Sequence, residues 1–138
     1  MTKEQWKKPE IKDGIPTIYG WIVQHPENLK LGNFTDIGFG TYINASYDII
    51  IEDEVMIGSH CSIYSLNTID STYGEIIIKK NAKIGAGSVI LPRKDGKPLI
   101  IGENTKIGAL TLIKNSVSPN STVVGSPARY LINNKKVD

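Results

Sequence analysis

The sequence predicts an all-β protein built as a parallel β-helix, a triangular prism of stacked coils. Three observations carry this. First, large aliphatics fall six apart: Leu31, Ile37, Ile43 and Ile49; then Ile51, Ile57, Ile63 and Ile69; then Ile78, Ile84 and Ile90; then Ile101, Ile107 and Ile113. Second, a glycine follows the anchor in IGFGTY, IGSHCS, IGAGSV, IGENTK and IGALTL, where a corner needs close backbone approach or positive φ. Third, most anchors are β-branched isoleucine, which suits short pleated strands. A period of six fits neither a helix nor an alternating strand. It is the period of one short strand plus a corner, with the aliphatic buried in a continuous interior. Three units give about 18 residues per coil. A β-sandwich would instead show alternating strands about 8–12 residues apart.

The elements follow in order. Residues 1–30, with Trp6, Tyr19 and Trp21 but no six-residue lock, are expected to cap the first coil, because an open end exposes unpaired strand edges. Residues 31–131 form the β-helix, and residues 132–138, ending NNKKVD, form a polar C-terminal tail. The whole reads as a single domain. Three interruptions break the rhythm: a slip of two at YDIII, the segment DSTYGEII between Ile69 and Ile78, and LPRKDGKPLI between Ile90 and Ile101. Such interruptions mark loops, often on a binding face. The third holds Asp95-Gly96 between Pro92 and Pro98 and is expected to be an exposed turn.

Composition narrows the function classes. The 138 residues are 40% apolar and 22% charged, an ordinary soluble profile, and the net charge of +2 comes with no basic stripe interleaved with aromatics, which excludes a nucleic-acid polymer as partner. Cys61 is the sole cysteine, and with only His25 and His60 beside it there is no spacing for a metal site. A reducing cytoplasm is the expected compartment. No apolar h-region follows MTKEQWKKPEIKDG and no long apolar run occurs, so neither signal peptide nor membrane span is expected.

The stretches TYINASYDIIIEDEVMIGSHCSIYSLNTID, KKNAKIGAGSVILP and VVGSPARYL resemble the hexapeptide-repeat acyltransferases, specifically the small acetyltransferases of sugar and amino-sugar pathways. The closing GSPAR resembles their G-x-P-A-[RK] ending. The resemblance implies a left-handed prism, an exception to the usual right-handed crossover. It also implies a homotrimer, with acetyl-CoA as co-substrate in a groove between neighbouring subunits and the acceptor entering from the other end. Matched by position, Gly85, Ala86, Gly108 and Ala109 would be corner contacts to the cofactor, and Lys114 and Arg129 would face its phosphates. Lys114 stands one position before the lysine usual in these enzymes' Thr-Lys pair.

The resemblance also exposes a gap. Galactoside-type relatives keep their catalytic histidine on the loop after the unit matching IYSLNT, and others keep one beside the serine matching Ser65. Here Leu66 stands beside Ser65, and no histidine occurs from Leu66 to Tyr73. The remaining candidate base is His60, three residues after Ile57, where the side chain leaves the prism. A sugar hydroxyl needs a positioned base, whereas a sugar amine of pKa roughly 8 is already substantially neutral near pH 7. An amine acceptor therefore tolerates the missing histidine, and the protein chiefly has to orient the lone pair. Asn44, Ser65, Asn67 and Asp70 are the expected substrate-binding groups, with Asp70 able to hold an ammonium. Cys61 reads as packing and His25 as structural. The leading expectation is acetyl transfer to the amino group of a nucleotide-linked amino sugar in glycan assembly. The alternatives are sugar O-acetylation with His60 as base, and a non-catalytic hexapeptide scaffold. A carbonic anhydrase on this prism would need three histidine ligands per metal.

Overall fold

The computed structural model describes residues 1–137; Asp138, the last residue of the expected tail, lies outside the described residues. The chain winds as a left-handed parallel β-helix. Pro26–Asn28, a single 3-10 turn, is the one helical element among the described residues. Each coil visits three faces. The first face stacks Ile22–Gln24, Tyr42–Asn44, Ser62–Tyr64, Val89–Ile90 and Leu112–Ile113. The second stacks Leu29–Leu31, Ile49–Ile51, Ile76–Ile78 and Leu99–Ile101. The third stacks Asp36–Ile37, Met56–Ile57, Lys83–Ile84, Lys106–Ile107 and Thr122–Val124. Strands of two or three residues have no stability alone. Here each is fixed by parallel bonds to the coil above and below, and by an aliphatic column inside.

Those columns are built on anchors read from the sequence and extend beyond them to Val23 in the first coil and Val123 in the last. Val23, Ile43, Ile63, Ile90 and Ile113 pair in register on the first face, and Ile37, Ile57, Ile84, Ile107 and Val123 on the third. All of them are buried, each isoleucine contributing about 1.5–3 kcal/mol. Cys61 is buried too, its thiol donating to the Gly85 carbonyl at 3.3 Å. Burial pushes that thiol's pKa up, so it packs rather than reacts.

The first coil is longer than the expected 18 residues. Tyr42 lies 20 residues after its register partner Ile22, as Ile49 does after Leu29. The extra two residues sit on the second face, whose strands turn both ends inward. Ile49 and Ile51 are buried on either side of Ile50, and the pattern repeats at Ile76 and Ile78 and at Leu99 and Ile101. The slip at YDIII is therefore a regular feature of this face, produced by the two-residue period of a strand.

One anchor is corrected outright. Ile69 is 92% exposed, because the chain leaves the prism after Ser65 and forms an antiparallel hairpin, Leu66–Asn67 against Thr72–Tyr73. IYSLNT is thus not a complete prism unit, and the interruption begins four residues before DSTYGEII. The next interruption is the exposed turn expected from Asp95-Gly96: Arg93 Nη2 donates to Asp95 Oδ2 at 2.6 Å and the Lys97 amide to Asp95 Oδ1 at 3.0 Å. Strand pairing also extends past residues 31–131. It starts at Ile22 and ends in Arg129–Ile132 and Lys135–Val137, two antiparallel strands added beyond Thr122–Val124 on the third face. The N-terminal segment lies over the first coil, with Trp6 against Phe34 at 5.6 Å between ring centres and the Gly14 amide donating to the Val23 carbonyl.

Candidate active site

The corners between faces stack into three edges, and the candidate residues divide between two of them. The edge leading from the third face to the first carries Gly38-Phe39-Gly40, Gly58-Ser59-His60, Gly85-Ala86-Gly87 and Gly108-Ala109-Leu110, one triplet per coil. Amides at the third position donate to the coil before: His60 to Phe39, Gly87 to Ser59, Leu110 to Ala86. This position is left-handed at every level, with φ of 78° at Gly40, 54° at His60, 72° at Gly87 and 57° at Leu110. Histidine adopts that conformation more readily than most residues, and it lets the side chain leave the prism.

His60 is exposed, and its ring lies over Gly40, meeting Phe39 edge-on at 6.0 Å. Among the described residues no hydrogen bond holds its imidazole. The chain thus supplies a free imidazole on this edge but no group that fixes its tautomer.

Gly85 and Gly108 have a packing reason to be glycine. A Cβ at Gly85 would stand 2.4 Å from the Ala109 amide nitrogen, and one at Gly108 2.8 Å from Val124 Cγ1. Coil stacking, not the ligand groove, occupies that space. Ala86 and Ala109 are exposed, so their methyls and the adjacent backbone form the accessible part of this edge.

The next edge, from the first face to the second, lies one three-residue strand away, about 10 Å. It carries Asn44, Ser65, Asn67 and Asp70. Asn44 Oδ1 accepts from the Ser46 hydroxyl at 2.6 Å and amide at 3.0 Å. Ser65 is fully buried: its hydroxyl donates to the Asn44 carbonyl at 2.9 Å and accepts from the Tyr47 amide at 2.8 Å. It ties two coils together and does not face solvent. Asn67 Oδ1 accepts from the Ile69 amide at 3.1 Å, closing the hairpin turn. Asp70 is exposed, and Oδ1 accepts from the Thr72 hydroxyl at 2.7 Å and amide at 3.1 Å. The hydroxyl first and the amide second hold this carboxyl below its ordinary pKa, so it is anionic at neutral pH. Asp70 is the member of the four with a full charge and open access.

Two residues that sequence reading passed over shape this edge. Tyr73 on the hairpin stacks on Tyr47 of the preceding coil, ring centres 4.6 Å apart and 19° from parallel. The stack pins the hairpin to the prism, with both rings still half-exposed. The signal was a tyrosine closing each of ASY and STY, at no fixed spacing.

Lys114 and Arg129 are brought together at the C-terminal end, where both line a hollow of about 450 Å³ with Ser116, Pro127, Ala128 and Tyr130. GSPAR makes this meeting: Gly125 accepts from the Leu112 amide and the Ala128 amide donates back to Leu112, so the segment crosses the end of the first face from the alanine edge to the hollow. Arg129 Nη1 donates to the Ala128 carbonyl at 3.2 Å. The exposed alanines followed by two cationic side chains fit a long, thin ligand with phosphates at one end.

Known proteins resemble this chain in sequence and fold. No family model matches the chain. Serine acetyltransferase of Synechococcus elongatus is 29% identical over 122 residues, 85% of this chain and 48% of that protein. GDP-perosamine N-acetyltransferase of Escherichia coli O157:H7 is 31% identical over 122 residues, 79% of this chain and 55% of that one. A solved hexapeptide-repeat acetyltransferase of Vibrio cholerae O1 biovar eltor, complexed with acetyl coenzyme A, superposes with a TM-score of 0.72 at 22% identity, covering 84% of this chain and 66% of that one. The chain spans about half the length of the curated relatives it matches. Its relatives are serine and sugar acetyltransferases of the hexapeptide-repeat family, and it shares the left-handed β-helix of the solved members.

Proposed function

We propose that the chain transfers an acetyl group from acetyl-CoA to the amino group of a nucleotide-linked amino sugar, working as a homotrimer in the cytoplasm for glycan assembly. One observation carries the choice of an amine. The edge bearing the hairpin offers Asp70, held anionic by Thr72, and no histidine, and His60 stands on a different edge. Asp70 attracts the acceptor as its ammonium, and the proton is lost to solvent before attack. The lone pair then attacks the thioester carbonyl carbon, the C–S bond breaks with its electron pair going to sulfur, and the proton that the nitrogen sheds as the amide forms passes through solvent to the CoA thiolate, releasing the thiol. An N-acetyltransferase among the relatives supports the reading.

Because the two edges of one prism are separate, the site is read as shared. Ala86, Ala109, Lys114 and Arg129 of one subunit would line the acetyl-CoA groove, with Gly85 and Gly108 setting its coil spacing. The hairpin of a neighbour, with Asn67 and Asp70, would bring the acceptor. Asn44 and Ser65 then support that hairpin from beneath. Among the described residues no three His, Cys, Asp or Glu side chains are grouped as metal ligands. Among the described residues no helix is long and apolar enough to cross a membrane.

O-acetylation is the second reading, favoured by the exposed, unbonded imidazole of His60 on the same edge as Ala86 and Ala109. CoA release from acetyl-CoA, followed against amino sugars, their hydroxyl counterparts and nucleotide-linked forms, separates the two. Turnover with hydroxyl acceptors alone sinks the amine proposal, and absence of both turnover and CoA binding leaves a scaffold. In His60→Ala, an unchanged rate with an amine excludes the imidazole from the reaction. A loss of about 10²-fold or more in kcat makes it the base.

A further inference from the structure

Lys83 and Lys106 form a charged pair that the groove described above does not use. They are register partners on adjacent parallel strands of the third face, both exposed and both pointing outward beside inward Ile84 and Ile107. Adjacent strands lie about 4.8 Å apart, and like charges directly opposite destabilise a ladder. In this column Met56 precedes Lys83 and Thr122 follows Lys106; the carboxylate in it, Asp36, stands two strands from Lys83 beyond Met56, lines the far end of the same hollow and forms no ion pair with either lysine among the described residues. Among the described residues neither ammonium has a carboxylate or hydrogen-bond partner, while Lys3, Lys12, Lys79 and Arg93 all do. The pair flanks a hollow of about 480 Å³, the size of a small-molecule site, with Met56, Gly58, Gly85 and Ile107 along it.

Two unneutralised point charges one strand apart match a dianion with its charges side by side. A carboxylate would leave one ammonium uncompensated, and lysine without an arginine fork suits phosphate oxygens better than a planar group. We propose that Lys83 and Lys106 bind the diphosphate of an organic diphosphate ester, whose uncharged portion runs along the hollow toward Met56. The proposal rests on the reading of the protein as an acetyltransferase only for the ester's source. The nucleotide half of CoA and the nucleotide of an activated sugar both carry this group.

The test titrates inorganic pyrophosphate into the full chain by calorimetry and compares wild type with Lys83→Gln, Lys106→Gln, the double glutamine variant, the double arginine variant, and Lys8→Gln as a control surface lysine. Circular dichroism and melting check each fold. The expected result is binding that weakens with salt, a Kd raised about tenfold in the double glutamine variant and about threefold in each single one, and near-wild-type affinity in the arginine and Lys8 variants. A folded double glutamine variant that binds as wild type, or a wild type that does not bind pyrophosphate at millimolar concentration, overturns the proposal. Two kinetic arms identify the source. A KM raised for acetyl-CoA but not for acetyl-pantetheine assigns the diphosphate to the donor. A KM raised for the nucleotide-linked but not the free amino sugar assigns it to the acceptor. Pyrophosphate binding that follows the lysines in a protein that transfers no acetyl group would refute the proposed reaction and leave the site standing.

Discussion

Gly85→Ala decides whether the corner glycines serve the fold or the ligand. The added Cβ would stand 2.4 Å from the Ala109 nitrogen and 2.7 Å from both Ala109 Cα and Gly108 C. Comfortable contact is about 3.5 Å, so the coils would have to part locally by roughly 1 Å. They resist, because the atoms met are backbone and the neighbouring amides are bonded: Gly85 to Ile107 at 2.8 Å, Leu110 to Ala86 at 2.9 Å. Overpacking typically costs about 1–3 kcal/mol, and a backbone clash belongs at the upper end. At about 3–4 °C per kcal/mol for a chain of this size, Tm should fall by roughly 10 °C. Gly96→Ala is the matched control: nothing lies within 4 Å of its Cβ, so the substitution meets only the cost of φ +75°, about 1–2 kcal/mol. Melting at equal protein concentration reads both. A Gly85→Ala protein that melts within about 2 °C of wild type yet loses CoA binding would refute the packing account and return this glycine to the ligand.

Other outcomes follow from single contacts. Ser65→Ala should destabilise by about 1–3 kcal/mol in urea titration, since the Tyr47 amide loses its partner, while the Asn44 carbonyl keeps the Ser65 amide at 3.0 Å. Ile69→Ser should change stability by less than about 0.5 kcal/mol by the same measurement, because the side chain is 92% exposed at the hairpin tip. Asp95 is held down to a pKa of about 2, first by the Arg93 guanidinium and then by the Lys97 amide, from an ordinary 3.8. A depressed carboxyl stabilises above its unfolded pKa and stops doing so as pH falls through its folded one. Between pH 4 and 2 the urea midpoint of wild type should therefore fall further than that of Asp95→Asn, and parallel curves would contradict the pairing.

The interior was legible because its residues recur: an isoleucine at every sixth position faces inward wherever the coil continues, so Ile43, Ile63, Ile90 and Ile113 could be placed from spacing. Ile69 kept the count and lost the position. Nothing in its own spacing says that a neighbouring Asx turn at Asn67 and a second at Asp70 make a hairpin cheaper than another coil. Ile49 and Ile51 erred the other way, a two-residue strand period hidden inside a six-residue one. For the site, side-chain type suggested access that position denies. Ser65 offers a hydroxyl in the sequence, but its burial and two bonds commit it to the coil, whereas Asp70 keeps its charge and its exposure. The Lys83–Lys106 pair could not be seen without register, since 23 residues separate them and only the ladder sets them side by side.

Because every strand touches only the coil above and the coil below, the molecule behaves as a short one-dimensional stack whose weakest links are its two ends. Unfolding should start there as fraying, with hydrogen exchange rising outward from the Ile63 and Ile78 coil. The two ends are closed differently: Trp6, Tyr19 and Trp21 lie over the first, while the last ends in Lys135–Val137, a strand exposed at every residue. It is the edge strand at this end among the described residues, and its lysines discourage another chain from adding itself as the next coil. Removing the last two strands would bare Thr122–Val124, turning a bounded prism into a template for open-ended growth.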